Sequence, residues 1–221
     1  MVDLATLSHE DARKFYDRFG SKQDWQRFYE DPAIQELSAS AAFAEASAVV
    51  EFGCGTGRVA EMLLREHLPE RAEYLAVDVS ATMVALAQQR LAPFGSRVRA
   101  MQTDGAPRLR EPSASCDRFI STYVLDLLST DDIRGVLGEA HRLLVPGGRL
   151  GVVGLTHGAT IPARLVERAW TWAHRWRPTS VGGCRPISVV EFMGSEWQVL
   201  HRAVVTSYAI SSEVVAARKA A

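Results

Sequence analysis

The nine residues VVEFGCGTG, positions 49–57, constrain this chain more than any other stretch. Val49, Val50 and Phe52 make an apolar, β-favouring run suited to a sheet covered on both faces. Gly53, Gly55 and Gly57 then alternate with small residues, and a backbone free of Cβ groups can turn tightly and let a ligand approach it. From Val59 the pattern VAEMLLREHL changes to helical spacing, with Val59, Met62, Leu63 and Glu66 about one turn apart. Strand, glycine turn and helix N-terminus form a corner where free backbone amides converge, which is how doubly wound folds hold nucleotides.

The spacing narrows the choice of nucleotide. A dinucleotide fingerprint, G-x-G-x-x-G, needs a glycine where this chain has Arg58. Asp78 follows the last loop glycine by 21 residues, at the end of an apolar run from Tyr74 to Val77. A carboxylate there can accept hydrogen bonds from both ribose hydroxyls. Asp78 or Ser80 also fits the N-cap of a helix starting near Ala81. Further on, a strand from Val98 to Gln102 runs into Thr103-Asp104-Gly105-Ala106, where Asp-Gly is equally a common turn pair. A central strand is expected over Phe119 to Val124, preceded by Asp117, and Pro146-Gly147-Gly148 turns a helix end into a strand from Arg149 to Leu155.

These five pieces, in this order over residues 49–157, resemble the class I S-adenosylmethionine-dependent methyltransferases, whose first motif reads E/D-x-G-x-G-x-G. Within the class the chain is similar to the broad methyltransferase type 11 group, which includes the quinone C-methyltransferases. It is shorter, its middle insertion is its own, and it lacks a strong quinone-enzyme signature. The resemblance implies S-adenosylmethionine as cofactor and S-adenosylhomocysteine as product. It assigns Glu51, Gly53, Cys54, Gly55 and Gly57 to the cofactor loop, Asp78 to the ribose, and Val79 and Met83 to the adenine. Asp104 would receive the adenine amino group, with Gly105 and Ala106 facing the ring, and Thr122 and Tyr123 close the site at the fourth strand.

Alternating strands and helices imply a Rossmann-like doubly wound α/β sheet of about seven strands, mostly parallel. The C-terminus departs from that alternation. Trp197 to Tyr208 and Glu213 to Arg218 read as strands separated by a Ser211-Ser212 turn, too short for a crossover, so they should form an antiparallel hairpin. The 221 residues are expected to form one domain: an N-terminal helical lid over 1–45, a cofactor-binding core over 46–157, a substrate-side insertion over 158–195 and the hairpin over 196–221.

Two segments outside the motifs should carry specificity. The first holds Phe15, Phe19, Trp25, Phe28 and Tyr29; its Tyr16-Asp17 pair resembles one that lies near the cofactor in relatives, so Tyr16 is a candidate for touching cofactor or substrate. An aromatic stripe packed on the core is the competing reading. The second is a Trp- and Arg-rich helix over 163–178, with Leu165, Ala169, Trp172 and Trp176 along one face and Val166, Trp170 and Ala173 beside it. Pocket wall, core or dimer packing, and a membrane-surface face with Arg164, Arg168 and Arg175 all fit that pattern.

Methyl transfer needs a base only when the acceptor arrives protonated. Asp126, after the fourth strand, and His157, after the fifth, stand at strand carboxyl ends where open sheets place ligands. A capping aspartate and an exposed loop histidine are the plainer readings. No His, Cys and carboxylate set has metal-ligand spacing. The expected acceptor is a small O, S, N or C nucleophile, aromatic or apolar if the tryptophans line its pocket. The net charge of −1 and the missing N/D-P-P-Y motif argue against nucleic acid. Membrane contact is disfavoured, and monomer and homodimer both fit. Cys54, Cys116 and Cys184 show no C-x-x-C pair and read as reduced, hence a cytoplasmic chain. Two other readings remain open: a protein that binds S-adenosylmethionine without methylating, and a nicotinamide-dependent oxidoreductase.

Overall fold

Along the strands, alternate residues enter two different cores. Val49, Tyr74, Ala76 and Val214 pack in one, while Val50, Leu75, Val77 and Val215 pack in the other. Period-2 alternation with both sets apolar is the signature of a sheet buried on both faces. The computed structural model of the chain describes residue 6 and residues 8–176 and 183–220. Among these residues no helix is long and apolar enough to cross a membrane.

The sheet has seven strands, β1 (Ala48–Phe52), β2 (Glu73–Asp78), β3 (Val98–Gln102), β4 (Cys116–Thr122), β5 (Leu144–Leu155), β6 (Trp197–Ser207) and β7 (Ile210–Lys219). Their order across the sheet is β3-β2-β1-β4-β5-β7-β6. The first five strands are parallel, β7 runs antiparallel beside β5, and β6 closes the edge antiparallel to β7. One face carries α2 (Arg27–Ser40), α3 (Arg58–Glu66) and α4 (Ala81–Leu91), through residues such as Ile34, Leu63 and Ala87. The other carries α5 (Thr130–Leu143), through Ile133, Val136 and Leu143. Phe119 and Ile120 are 0% exposed at the centre. Each contributes about 1.5–3 kcal/mol by leaving water.

Helix starts follow local chemistry. Ser8 caps α1 (His9–Phe19), Ser80 caps α4 and Ser129 caps α5, each hydroxyl accepting from the amide three residues on. The cap of α4 is thus Ser80, which leaves Asp78 for other partners.

Four expectations need correction. β4 begins at Cys116, three residues before Phe119, so Asp117 lies inside the strand and its carboxylate accepts the Ser47 amide. Pro146-Gly147-Gly148 is an irregular excursion within β5: pairing passes from Cys116↔Leu144 to Arg118↔Arg149. The hairpin turns at Tyr208 and Ala209, both left-handed with φ of 50° and 61°. Paired left-handed residues match the twist of adjoining strands. Ser211 and Ser212 are instead buried in β7, bonded to Thr206 and Tyr123.

The fourth correction concerns α6 (Ile161–Trp176). Ala163, Glu167 and Trp170 turn toward the protein, while Leu165 and Trp172 are exposed. The inward face is therefore offset from the 165/169/172 stripe. Trp170 explains the offset, because its indole N–H donates to the Cys184 carbonyl at 3.0 Å and fixes the helix rotation. Residues 177–178 of the expected helix lie outside the described residues.

Candidate cofactor and acceptor cavity

The glycine loop leaves β1 with Gly53, Gly55 and Gly57 all at positive φ. The amides of Gly53 and Cys54 both donate to the Val77 carbonyl at the end of β2, at 2.8 and 2.9 Å. A Cβ at Gly53 would run into Val124 Cγ2, and one at Gly105 would lie 3.1 Å from Val79 and 3.2 Å from His9. Gly53 and Gly105 are therefore glycines because their neighbours leave no room for a side chain, while Gly55, with nothing within 4 Å, borders open space. Gly57 serves helix packing. A Cβ there would meet the Ala87 backbone at 3.1 Å, so the glycine permits α3 to lie close on α4.

The cradle opens into a cavity of roughly 830 Å³, its mouth included, a size ordinary for small-molecule sites. Gly53, Gly55, Asp78, Val79 and Met83 line it from β1, β2 and α4. Gly105, Thr122 and Tyr123 line it from the ends of β3 and β4, and Tyr16 lines it from α1. Asp78 holds the loop as well as facing the cavity. Its Oδ2 accepts the Gly55 amide at 2.8 Å and its Oδ1 the Ser80 amide at 2.9 Å. Burial pushes the Asp78 carboxyl up, against the pull of those amides.

The N-terminal segment is tied across the cavity by its acids. Asp17 accepts from the Ser80 hydroxyl at 2.6 Å, and His9 Nε2 stands 3.2 Å from Asp132 on α5. Asp24 accepts from Thr56 of the glycine loop and from Arg90, both at 2.6 Å. Arg58, the residue that breaks a dinucleotide fingerprint, pairs with Glu30 at 2.7 Å and with Asp31.

Several expected site residues are placed elsewhere. Glu51 is 0% exposed and accepts from Tyr74 Oη at 2.9 Å, with burial pushing its carboxyl up to about 8. Cys54 turns into the core. Asp104 is exposed and closes a local turn by accepting the Ala106 amide at 2.9 Å, and neither residue lines the cavity. His157 is also outside it. Its Nδ1 lies 2.6 Å from Glu167 Oε1 in an exposed loop, so the plain loop reading describes its position.

Asp126 is neither an exposed base nor a cap. It is 0% exposed on the turn after β4, whose flanking Val124, Leu127 and Leu128 line the cavity. Burial raises its carboxyl to about 7, with nearby amides and Arg185 acting in the opposite direction. Burial also pushes the Tyr16 phenol up, and Asp126 adds to that effect. Thr103, His9 and Gln23 line the cavity without having been singled out in the sequence. Thr103 was within reach, as the last residue before Asp104; His9 and Gln23 arrive only through the path of the N-terminal segment.

A parallel sheet with a glycine cradle and a carboxylate at adjacent strand ends defines the Rossmann-like nucleotide-binding class. Residues 49–148 match the family described as "Methyltransferase domain". The match runs from β1 and the glycine loop into β5 and makes this core similar to methyltransferase domains. The chain is 30% identical over 135 residues to a demethylmenaquinone methyltransferase of Thermus thermophilus, covering 61% of this chain and 56% of that protein. It is 28% identical over 170 residues to a malonyl-[acyl-carrier protein] O-methyltransferase of Marinomonas sp., covering 76% of this chain and 59% of the relative. The chain thus spans under two thirds of the length of these curated relatives. Among solved structures, the N-methyltransferase NodS of Bradyrhizobium japonicum in complex with S-adenosyl-l-homocysteine superposes with a TM-score of 0.71, at 17% identity and over 94% of this chain and 98% of that one. That likeness is one of fold.

Proposed function

We propose that this chain binds S-adenosylmethionine in the cavity and transfers its methyl group to a small-molecule acceptor by in-line displacement. The observation that carries the reading is the cradle itself. Gly55 borders open space, Gly53 and Gly105 bring bare backbone to the lining where no side chain would fit, and Asp78 lines the same cavity at the end of β2. The bound sulfonium supplies an already activated methyl group. Asp78 would hold the ribose, Val79 and Met83 the adenine, and Gly53 and Gly55 the amino-acid end. Thr122 and Tyr123 would flank the reacting end, because β4 ends beside the glycine loop.

The division of labour is proposed along the chain as well: a lid over 1–45, the cofactor core over 46–157, an acceptor-side insertion over 158–195 and the hairpin over 196–221. Tyr16 and Asp126 are the proposed acceptor-side groups, and closing the lid would exclude water from the transfer. A small-molecule acceptor, a cytoplasmic location and a monomer or homodimer complete the reading.

Calorimetric titration of the purified chain with S-adenosylmethionine, S-adenosylhomocysteine and NADH tests it. Micromolar binding of the first two and none of the third is expected. Binding of NADH alone would return the cavity to a nicotinamide enzyme, and binding of none would overturn the cofactor assignment.

A further inference from the structure

No described residue of α6 lines the cofactor cavity. What the helix offers is a face to solvent. Its inner side is fixed by buried Ala163, by Glu167 against His157 and the Gly158 amide, and by the Trp170 indole. Ile161, Leu165 and Trp172, spaced four and seven residues apart, fall on one outward stripe and are 75%, 62% and 63% exposed.

Two other stretches continue this face. Val166 stands with Ala209 and Ile210 around a mostly apolar groove between α6 and the β6–β7 hairpin. Tyr208, at the hairpin tip, meets Phe28 edge to face at 5.2 Å, and Trp25 lies one helical turn before Phe28. Trp25, Phe28 and Tyr208 are exposed as well. All of this lies at the end of the sheet that carries the cavity. The Thr156 amide, just after β5, donates to the Ser211 carbonyl, and Glu30 on α2 pairs with Arg58 after the glycine loop. Exposed apolar residues gathered in one patch mark an interaction surface.

The charge of the patch is one-sided. Within residues 25–28, 161–172 and 206–208 the exposed ionisable side chains are Arg27, Arg164 and Arg168. The one acid in those stretches, Glu167, is turned inward to His157 and Gly158. A second copy docked about a two-fold axis would set these arginines against themselves, with no exposed carboxylate of the patch to meet them. An anionic lipid surface supplies both missing complements: phosphates for the guanidinium groups, and an acyl boundary for the protruding apolar side chains. Tryptophan and tyrosine, apolar rings with a polar edge, suit that boundary.

We infer that this face, formed by α6, the hairpin tip and the start of α2, docks on an anionic lipid surface. The outward side chains enter the boundary between headgroups and acyl chains, and the three arginines bind lipid phosphates. Because the same end of the sheet carries the cavity, docking also brings the cavity close to molecules held in the bilayer.

Co-flotation of the purified chain with vesicles of phosphatidylcholine, and with vesicles of equal parts phosphatidylcholine and phosphatidylglycerol, tests this. Binding to the mixed vesicles should be roughly ten-fold tighter or more. Arg164→Glu with Arg168→Glu, and separately Leu165→Ser with Trp172→Ser, should each weaken it by about ten-fold or more while the melting curve holds. In case a variant does not fold, wild-type tryptophan emission gives a second readout: brominated lipid chains in the mixed vesicles should quench it. No binding or quenching, equal binding to both vesicles, or binding that both folded double variants retain would overturn the proposal. So would a homodimer that the same substitutions break, which would give the face to a second copy. Each of these results is read without cofactor and leaves the methyltransferase reading standing.

Discussion

The two ends of the cavity are built on opposite principles. At the cofactor end the polar groups are already engaged: Asp78 takes two backbone amides, and Thr56 is held between Asp24 and Arg90. At the other end the lining is apolar, with Val124, Leu127 and Leu128 on the turn after β4, and Asp126 of that turn is enclosed, its burial raising a carboxyl that nearby amides pull the other way. A site with its hydrogen bonds made before the ligand arrives is preorganised and spends little order on binding. One lined by apolar side chains selects its ligand by shape and apolar contact. On the proposed reading, the cofactor therefore meets a rigid half, and discrimination falls to residues of α1 and of the turn after β4.

The contrast breaks most sharply at Gly53. Gly53→Ala should lower cofactor affinity by roughly 10²-fold, because a Cβ at φ of 78° is strained and also collides with Val124. Calorimetry with S-adenosylhomocysteine, alongside a melting curve to confirm folding, checks it; near-normal affinity would mean the rigid half yields more than its geometry implies. Asp78→Ala comes next, at about 1–3 kcal/mol of cofactor binding, from lost bonds to the ribose and a loosened Gly55. Unchanged affinity would remove Asp78 from the ribose.

Glu51 tests whether the cofactor end carries hidden strain. Its folded carboxyl titrates at about 8, above its ordinary 4.5. The fold therefore favours the protonated form. The cost of ionising it is absent at low pH, grows as pH rises through the interval between those values, and is complete above about 8. Glu51→Gln should accordingly gain stability over wild type with rising pH, by roughly 1–3 kcal/mol between about pH 5 and about pH 8.5. Paired melting curves read the difference, and a gap that narrows with pH would contradict the sign. The smallest effect belongs to His157→Ala, since His157 pairs with Glu167 outside the cavity. Methyl-transfer rates within about two-fold of wild type are expected for a substitution this remote, and a loss of roughly 10²-fold would bring the loop back into the site.

Local features were written in the residues themselves. Glycine at 53, 55 and 57 reports a backbone need that no other residue meets as well, and alternating apolar residues report a sheet face, so loop, parallel strands and Asp78 were legible in order. The C-terminal hairpin was legible too, because two strands so close together cannot be joined in parallel. Packing settled whatever depends on which surfaces meet. Asp126 and His157 looked alike as polar residues after strands, yet one is fully enclosed beside Gly154 while the other stays in an outer loop. The rotation of α6 hung on one indole N–H reaching Cys184, a contact 14 residues away that no helical period encodes. Glu30 meets Arg58, 28 residues along the chain, only because the fold brings α2 to the start of α3. Backbone preference and burial period are carried by neighbouring residues; the partners of a charge are set by packing across the fold.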